Sequence, residues 1–183
     1  LLSHIDYENG YSLYVGIPFC PTTCLYCSFT SYPIGAWEKK MDQYLAALFK
    51  ELDYVAETMK GRTLDTVYFG GGTPTALKAE ELDAILTRIE ERFDLSSVKE
   101  FTVEAGRPDS ITEDKLKTLR AHGISRISIN PQTMKQSTLD LIGRRHTVEM
   151  VKEKYRLARR LGFDNINMDP VSYTHLRAHE TLM

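Results

Sequence analysis

Short runs of β-branched and aromatic residues alternate along the chain with longer segments whose apolar residues recur at helical spacing. The short runs predict five strands, which cover residues 12–17, 66–69, 101–104, 124–130 and 164–169. Strands that are joined through helices lie parallel, with right-handed crossovers. The pattern therefore predicts an α/β fold, a partial parallel (β/α) barrel that is cut after about five βα units.

Amphipathic segments between these strands predict the helices. Apolar residues mark one face of a helix over residues 39–59. The next helix has the same pattern at four aliphatic positions and one aromatic position: Leu82, Ile85, Leu86, Ile89 and Phe93. Thr112 and Thr147 predict two further helix starts, because a threonine hydroxyl can accept a hydrogen bond from the first helical turn. Gly123 and Gly162 predict where those two helices end.

Composition and charge exclude several classes of protein. Hydrophobic residues make up 42% of the chain and charged residues 26%, as in an ordinary globular domain. The net charge is −2 and no run of lysines or arginines is present, so the sequence gives no sign of a surface that binds nucleic acid. We also find no signal peptide and no apolar run near the roughly 20 residues of a membrane span, so we expect no membrane partner. Three clustered cysteines, an odd number, favour a reducing, cytoplasmic compartment over a disulfide framework.

Both ends of the chain depart from the regular pattern. Residues 1–11 precede the first strand without an initiating methionine, and we interpret them as the end of a missing N-terminal region. Residues 170–183 fit no period and can be back-translated into a transposon-type sequencing adapter. We predict that this tail is non-native and assign no metal site to its two histidines. The remaining core, residues 12–169, is predicted to be one domain.

The cysteines lie within eight residues, as Cys20, Cys24 and Cys27, directly after the first predicted strand. Three thiolates at this spacing can bind three irons of a cubane cluster and leave the fourth iron open to a substrate or cofactor. The alternatives are a zinc site, a redox pair or buried thiols. Zinc would need a fourth ligand, and the nearest histidine, His4, lies upstream on a poorly defined segment. A redox pair of Cys24 and Cys27 would leave Cys20 unexplained, so the spacing favours an iron–sulfur site.

Unusual residues follow the other predicted strands at the same edge of the sheet, where ligands bind in parallel α/β folds. The sequence GGGTP at residues 70–74 follows strand two, and residues 130–132 follow strand four. Glu104 closes strand three, and Asp169 closes strand five. The glycines let the backbone approach a ligand and offer N–H groups to a carboxylate, or they form only a tight turn. Glu104 needs a cationic partner, which is either a ligand ammonium group or Arg107.

These motifs resemble those of a known enzyme family. The cysteine motif in residues 17–27 and the sequence GGGTPT at residues 70–75 are similar to those of radical S-adenosylmethionine (SAM) enzymes. Within that group the chain resembles the oxygen-independent coproporphyrinogen III oxidase family of haem biosynthesis over about residues 7–169. Three segments match the coproporphyrinogen dehydrogenase (HemZ) subgroup of the family: residues 103–109, 126–132 and 142–148.

The resemblance implies a barrel of radical SAM type with a [4Fe-4S] cluster and SAM, and members of the family bind a second SAM molecule. It implies that Cys20, Cys24 and Cys27 ligate three irons and that SAM chelates the fourth. It further implies that nine residues contact SAM or lie near the two SAM sites: Tyr14, Tyr26, Gly71, Gly72, Thr73, Glu104, Gln132, Arg144 and Asp169. Chemistry alone would accept Arg145 in place of Arg144, and only the register of the family separates them.

The activity that the resemblance implies is oxidative decarboxylation of two propionates of coproporphyrinogen III to vinyl groups, which gives protoporphyrinogen IX. The implied partners are a tetrapyrrole substrate and an external flavodoxin- or ferredoxin-like electron donor. The best-known oxidases have a fourth cysteine where this chain has Ser28, and a histidine where it has Gly16. Haem chaperones of the same superfamily also lack the fourth cysteine. A protein that binds and transfers haem without decarboxylation is therefore the alternative.

Overall fold

The computed structural model describes residues 8–25, 27 and 31–170, and the structure consists of one large sheet with helices packed on it. Residues 1–7 and all of the predicted non-native tail except its first residue, Pro170, lie outside the described residues. The strands in chain order are β1 (Gly10–Ile17), β2 (Phe19–Cys20), β3 (Tyr32–Pro33), β4 (Thr63–Gly71), β5 (Glu100–Gly106), β6 (Arg126–Ile129) and β7 (Ile166–Met168).

Five of these strands form a sheet in the order β1-β4-β5-β6-β7, and every neighbouring pair is parallel. Each new strand is therefore added beside the previous strand of this sheet, as in a (β/α) barrel. Strands β2 and β3 pair separately through two residues each. The predicted α/β fold with a parallel sheet is confirmed.

The helices are α1 (Met41–Thr58), α2 (Ala79–Arg92), α3 (Glu113–Ala121), α4 (Gln136–Leu141) and α5 (Val148–Arg160). The predicted starts at Thr112 and Thr147 are confirmed, because their hydroxyl groups accept hydrogen bonds from the N–H groups of Lys115 and Met150. The helix predicted from residue 39 begins later, since residues 38–40 form a 3₁₀ turn. Within the described residues, no helix combines the length and the apolar character needed to cross a membrane.

The register of the sheet sorts its side chains onto two faces, because residues paired across parallel strands point the same way. One face is apolar. It carries a row of paired residues, all buried except the last, which is partly buried: Val15, Phe69, Val103, Ile127 and Ile166. These side chains and the apolar residues of the helices form the hydrophobic core. Burial of this apolar surface is the main force that holds the helices on the sheet.

The opposite face, which we name the polar face, carries hydroxyl, amide, carboxylate and guanidinium groups. Its paired residues are Ser12, Tyr14, Thr66, Tyr68, Glu100, Thr102, Glu104, Arg126, Ser128 and Asn167. Closed TIM barrels fill the corresponding interior with bulky aliphatic side chains. The polar face instead resembles the wall of a binding site, and it leads to the carboxyl end of the strands.

Candidate active site

A cavity of about 330 Å³ lies at the carboxyl end of the sheet, where β1, β4, β5 and β6 end. The structure brings most of the predicted site residues together in its lining: Tyr14, Cys20, Cys24, Cys27, Gly71, Gly72, Thr73, Glu104, Gln132 and Arg144. Asp169 is outside this lining but close enough to Glu104 to act on its pKa. Tyr26 and Ser28 lie outside the described residues. The individual roles assigned to these side chains stay predictions.

The cysteine loop, residues 20–27, leaves β2 and faces the cavity. Cys20 Sγ lies 3.4 Å from Thr73 Oγ1, and Cys27 Sγ lies 3.9 Å from Ser31 Oγ. The loop turns at its far end, where the Cys27 N–H donates to the Cys24 carbonyl oxygen at 3.1 Å. Burial raises the pKa of the Cys20 thiol, and the hydrogen bond with Thr73 counteracts that rise.

The three free thiols fit an iron–sulfur cluster better than a single metal ion. Within the described part of the chain, no three His, Cys, Asp or Glu side chains converge on a point where one ion could bind. A cubane cluster requires a different arrangement, since each thiolate binds a different iron and the sulfurs stand around the cluster. Three thiols that line one cavity meet that requirement.

The glycine-rich turn, residues 70–72 at the end of β4, packs directly against β1 and the residues that follow it. A Cβ atom on Gly71 would lie 2.9 Å from the Ile17 carbonyl oxygen, and one on Gly72 would lie 2.6 Å from that of Phe19. The N–H groups of Gly72 and Thr73 donate to the Ile17 and Phe19 carbonyl oxygens, each at 2.7 Å. The Gly72 N–H group is therefore not free for a carboxylate, which corrects that part of the prediction. The glycines allow the close contact between backbones that places the cysteine loop.

Glu104 is held by a tyrosine and not by the arginine predicted as its alternative partner. Tyr68 donates its hydroxyl hydrogen to Glu104 Oε1 at 2.5 Å. Burial raises the pKa of Glu104, the negative charge of Asp169 adds to the rise, and the Tyr68 hydrogen bond opposes it. Arg107 pairs with Asp109, so the alternative of a Glu104–Arg107 pair is wrong. Among the described residues, no basic side chain forms an ion pair with this carboxylate, which faces the cavity.

Two tyrosines stack beside Glu104. The rings of Tyr14 and Tyr68 are nearly parallel, at 11°, with centroids 5.8 Å apart. Gly70 makes room for them, since a Cβ atom there would lie 2.8 Å from the Tyr68 ring and 2.9 Å from the Tyr14 hydroxyl oxygen. Tyr14 lies in the middle of β1, an edge strand of the sheet, and its side chain is 61% exposed. The stack therefore presents an aromatic surface at the cavity.

Gln132 is the one non-glycine residue with a positive φ in the described chain, at 66°, and its side chain is buried. This left-handed conformation costs a residue with a side chain about 1–2 kcal/mol. Buried His146 lies next to Pro131, the residue before Gln132, with Nε2 3.1 Å from the Pro131 carbonyl oxygen. Asn130 Oδ1 is buried and has no hydrogen-bond partner among the described residues. Strained residues and unpaired polar groups of this kind concentrate at functional sites.

Three residues that the structure places at the site had no role predicted from the sequence: Ser31, Tyr68 and Gly106. Asn130 was predicted at this edge of the sheet without a role, and Arg107 only as a possible partner of Glu104. The period-2 alternation of β4 could have placed Tyr68 on the same face as Gly70, but its contact with Glu104 depends on the register between β4 and β5. The spacing of Arg107 and Asp109 was visible, but their pairing depends on the 3₁₀ turn Pro108–Ser110.

Comparisons with known proteins agree with this geometry. The model of the radical SAM superfamily matches residues 14–176, and the chain belongs to that superfamily. Among curated relatives, it is 48% identical over 165 residues to the oxygen-independent coproporphyrinogen-III oxidase-like protein HemZ of Bacillus subtilis. It is 38% identical over 159 residues to the haem chaperone HemW of the same organism. The match to HemZ covers 88% of this chain and 33% of HemZ, and the match to HemW covers 86% and 41%.

Among solved structures, the coproporphyrinogen III oxidase HemN of Escherichia coli, described as a radical SAM enzyme, superposes with a TM-score of 0.77 at 32% identity. The match covers 86% of this chain and 36% of HemN. The parallel sheet is thus part of a radical SAM barrel. The chain spans between about a third and two fifths of the length of these relatives.

Proposed function

We propose that this chain is the SAM-binding core of a radical SAM enzyme that converts propionates of coproporphyrinogen III to vinyl groups. The observation that carries the proposal is the assembly of three thiols, a glycine-rich turn and a partly buried carboxylate around one cavity. The substrate class is inferred from HemZ and HemN, whose names refer to coproporphyrinogen oxidation.

In this proposal Cys20, Cys24 and Cys27 bind three irons of a [4Fe-4S] cluster, and the fourth iron is left for the amino and carboxylate groups of SAM. When bound, the cluster and SAM together supply a 5′-deoxyadenosyl radical that can remove a hydrogen atom from a propionate carbon. The cysteine loop reaches the surface, where Leu25 is 82% exposed. We infer that an external flavodoxin- or ferredoxin-like protein delivers the electron there.

The remaining residues position SAM and keep its charges paired. Glu104 accepts hydrogen bonds from the SAM ammonium group, since burial of its carboxylate without a cation is costly, and Tyr68 fixes its orientation. Arg144 binds a carboxylate through the two-pronged geometry of its guanidinium group. The exposed ring of Tyr14 packs against SAM. The other residues lie near SAM or the second SAM molecule: Tyr26, Gly71, Gly72, Thr73, Gln132 and Asp169.

In this proposal a large polar substrate lies against the polar face of the sheet, below the SAM site. The side chains of this face are polar, and Arg126, whose guanidinium group lies 3.3 Å from Glu100, is paired across the strands with Thr102 and lies two residues before Ser128. A tetrapyrrole with several carboxylates could be oriented by such groups.

The test uses the full-length protein that contains this chain, with its cluster reconstituted in the absence of oxygen. It is incubated with dithionite, SAM and coproporphyrinogen III, and both 5′-deoxyadenosine and the tetrapyrrole are followed by mass spectrometry. We expect substrate-dependent 5′-deoxyadenosine together with loss of two carboxyl groups from the tetrapyrrole. SAM cleavage that is independent of substrate, with an unchanged tetrapyrrole, would refute the decarboxylase.

A haem chaperone is the second candidate. It is favoured by one observation: Ser28 stands where the best-known oxidases have a fourth cysteine. A chaperone would bind haem tightly in the same preparation and cleave SAM only slowly. A protein that carries a correct cluster but neither cleaves SAM nor binds haem would refute both candidates.

A further inference from the structure

Arg107, the residue directly after β5, is 3% exposed although its guanidinium group is charged. Burial of a charge is costly unless the charge is paired. Arg107 Nε and Nη2 donate to the two carboxylate oxygens of Asp109 at 2.9 and 2.5 Å. The turn at residues 108–110 brings the two side chains together. This bidentate pair holds the guanidinium group in a single orientation.

The remaining nitrogen of Arg107 is directed at the cysteine loop. Nη1 donates to the Thr22 carbonyl oxygen at 3.0 Å and to the Thr22 hydroxyl at 2.7 Å, and it lies 3.7 Å from Cys24 Sγ. Nη1 carries two N–H bonds, so these three acceptors share two donors. The contact ties the loop between Cys20 and Cys24 to the end of β5.

The same arrangement places positive charge beside the cysteine sulfurs. Asp109 binds the Nε–Nη2 edge of the guanidinium group, and Cys24 Sγ contacts Nη1. The positive end of the ion pair therefore faces the loop. Hydrogen bonds to ligand sulfurs and nearby positive charge tune the reduction potential of an iron–sulfur cluster, because they stabilise the electron that it gains.

We propose that Arg107 is a positioning residue that holds the cysteine loop through Thr22 and raises the reduction potential of the cluster through Cys24. The proposal rests on the proposed function, since it takes the three thiolates as cluster ligands. Arg107 acts through these neighbours and needs no contact with SAM or with the substrate.

The experiment compares four forms of the full-length protein after anaerobic cluster reconstitution: wild type, Arg107→Gln, Arg107→Lys and Lys117→Gln. Lys117 is a matched control, because it is an exposed cation on α3 that pairs with Glu113 away from the site. Two quantities are measured. One is the midpoint potential of the cluster, by a redox titration followed by electron paramagnetic resonance. The other is the rate of iron loss to a chelator.

We expect Arg107→Gln to lower the ratio of reduced to oxidised cluster at a fixed solution potential about tenfold, which corresponds to a midpoint about 59 mV more negative for one electron. Iron loss should also be faster than in wild type. Arg107→Lys keeps the charge but lacks the planar fork that joins Asp109 to Thr22, so iron loss should rise while the potential shifts less. Lys117→Gln should match wild type in both measurements.

An Arg107→Gln protein with the wild-type potential would overturn the proposal, because a merely structural arginine would leave the potential unchanged. If that variant does not fold, Arg107→Lys decides, and wild-type resistance to the chelator would overturn the proposal. A wild-type protein that takes up no [4Fe-4S] cluster would refute the proposed function, and this inference with it.

Discussion

Glu104 provides a direct test of how the site binds SAM. We predict that Glu104→Gln weakens SAM binding while the fold is retained, because a glutamine oxygen can still accept the hydrogen bond from Tyr68. The change removes the negative charge that would meet the ammonium group of SAM. A hydrogen bond to a charged partner contributes about 1.5–3 kcal/mol, so the dissociation constant should rise roughly 10- to 150-fold.

Glu100→Gln is the matched control, since Glu100 lies on the same strand and on the same polar face. Four residues of extended chain separate it from Glu104 by about 13 Å, and it contacts Arg126 at 3.3 Å instead of the cavity. The assay is equilibrium dialysis of SAM against the cluster-loaded full-length protein. Equal SAM affinity in wild type and Glu104→Gln, with both carrying a full cluster, would refute the proposed role of the carboxylate.

The same group predicts a pH dependence of SAM binding. Burial raises the pKa of Glu104, with a further rise from the negative charge of Asp169. Only the ionised carboxylate attracts an ammonium group, so SAM affinity should be full above the raised pKa and fall as the pH drops through it. The affinity of Glu104→Gln should lack this acid limb. A matching acid limb in the variant would assign the titration to another group.

Two further predictions concern the scaffold. Gly72→Ala should lower the unfolding free energy by about 1–3 kcal/mol and reduce the iron content, because the new Cβ atom would lie 2.6 Å from the Phe19 carbonyl oxygen. Gly35→Ala is the control: a Cβ atom there has nothing within 4 Å, so neither the unfolding free energy nor the iron content should change. Burial opposes the charged form of His122, but hydrogen bonds to two carboxylates on α2 raise its pKa above the usual 6.5. The stability that protonated His122 contributes should therefore be complete below pH 6.5 and be lost as the pH rises through the raised pKa. The unfolding free energies of wild type and His122→Gln, measured by urea titration, should differ at low pH and converge at alkaline pH.

Local patterns in the sequence were sufficient to predict the five strands of the large sheet, most helices and the edge of the sheet where the site lies, but not the short strands β2 and β3. The cysteine spacing and the residues after each strand are local features, and parallel topology brings them together. The partner of Glu104 was not predictable in this way. Its contact with Tyr68 depends on the register between β4 and β5. Arg107 does not pair with Glu104, because the 3₁₀ turn at residues 108–110 brings Asp109 to it instead. To predict which side chains meet across two strands, one needs their pairing register, and the sequence of a single strand does not determine it.

The division of the sheet into two faces has a consequence for how such a protein can change. Stability resides in the aliphatic side chains that face the helices, while the polar face contributes little to the core. Conservative substitutions on the polar face, such as Thr66→Ser, should therefore change the unfolding free energy by only a few tenths of a kcal/mol. Substitutions on the polar face can therefore change which ligand binds while the apolar face still holds the fold together. A scaffold of this kind can diversify at low cost, and the oxidase-like and chaperone names among the relatives fit that view.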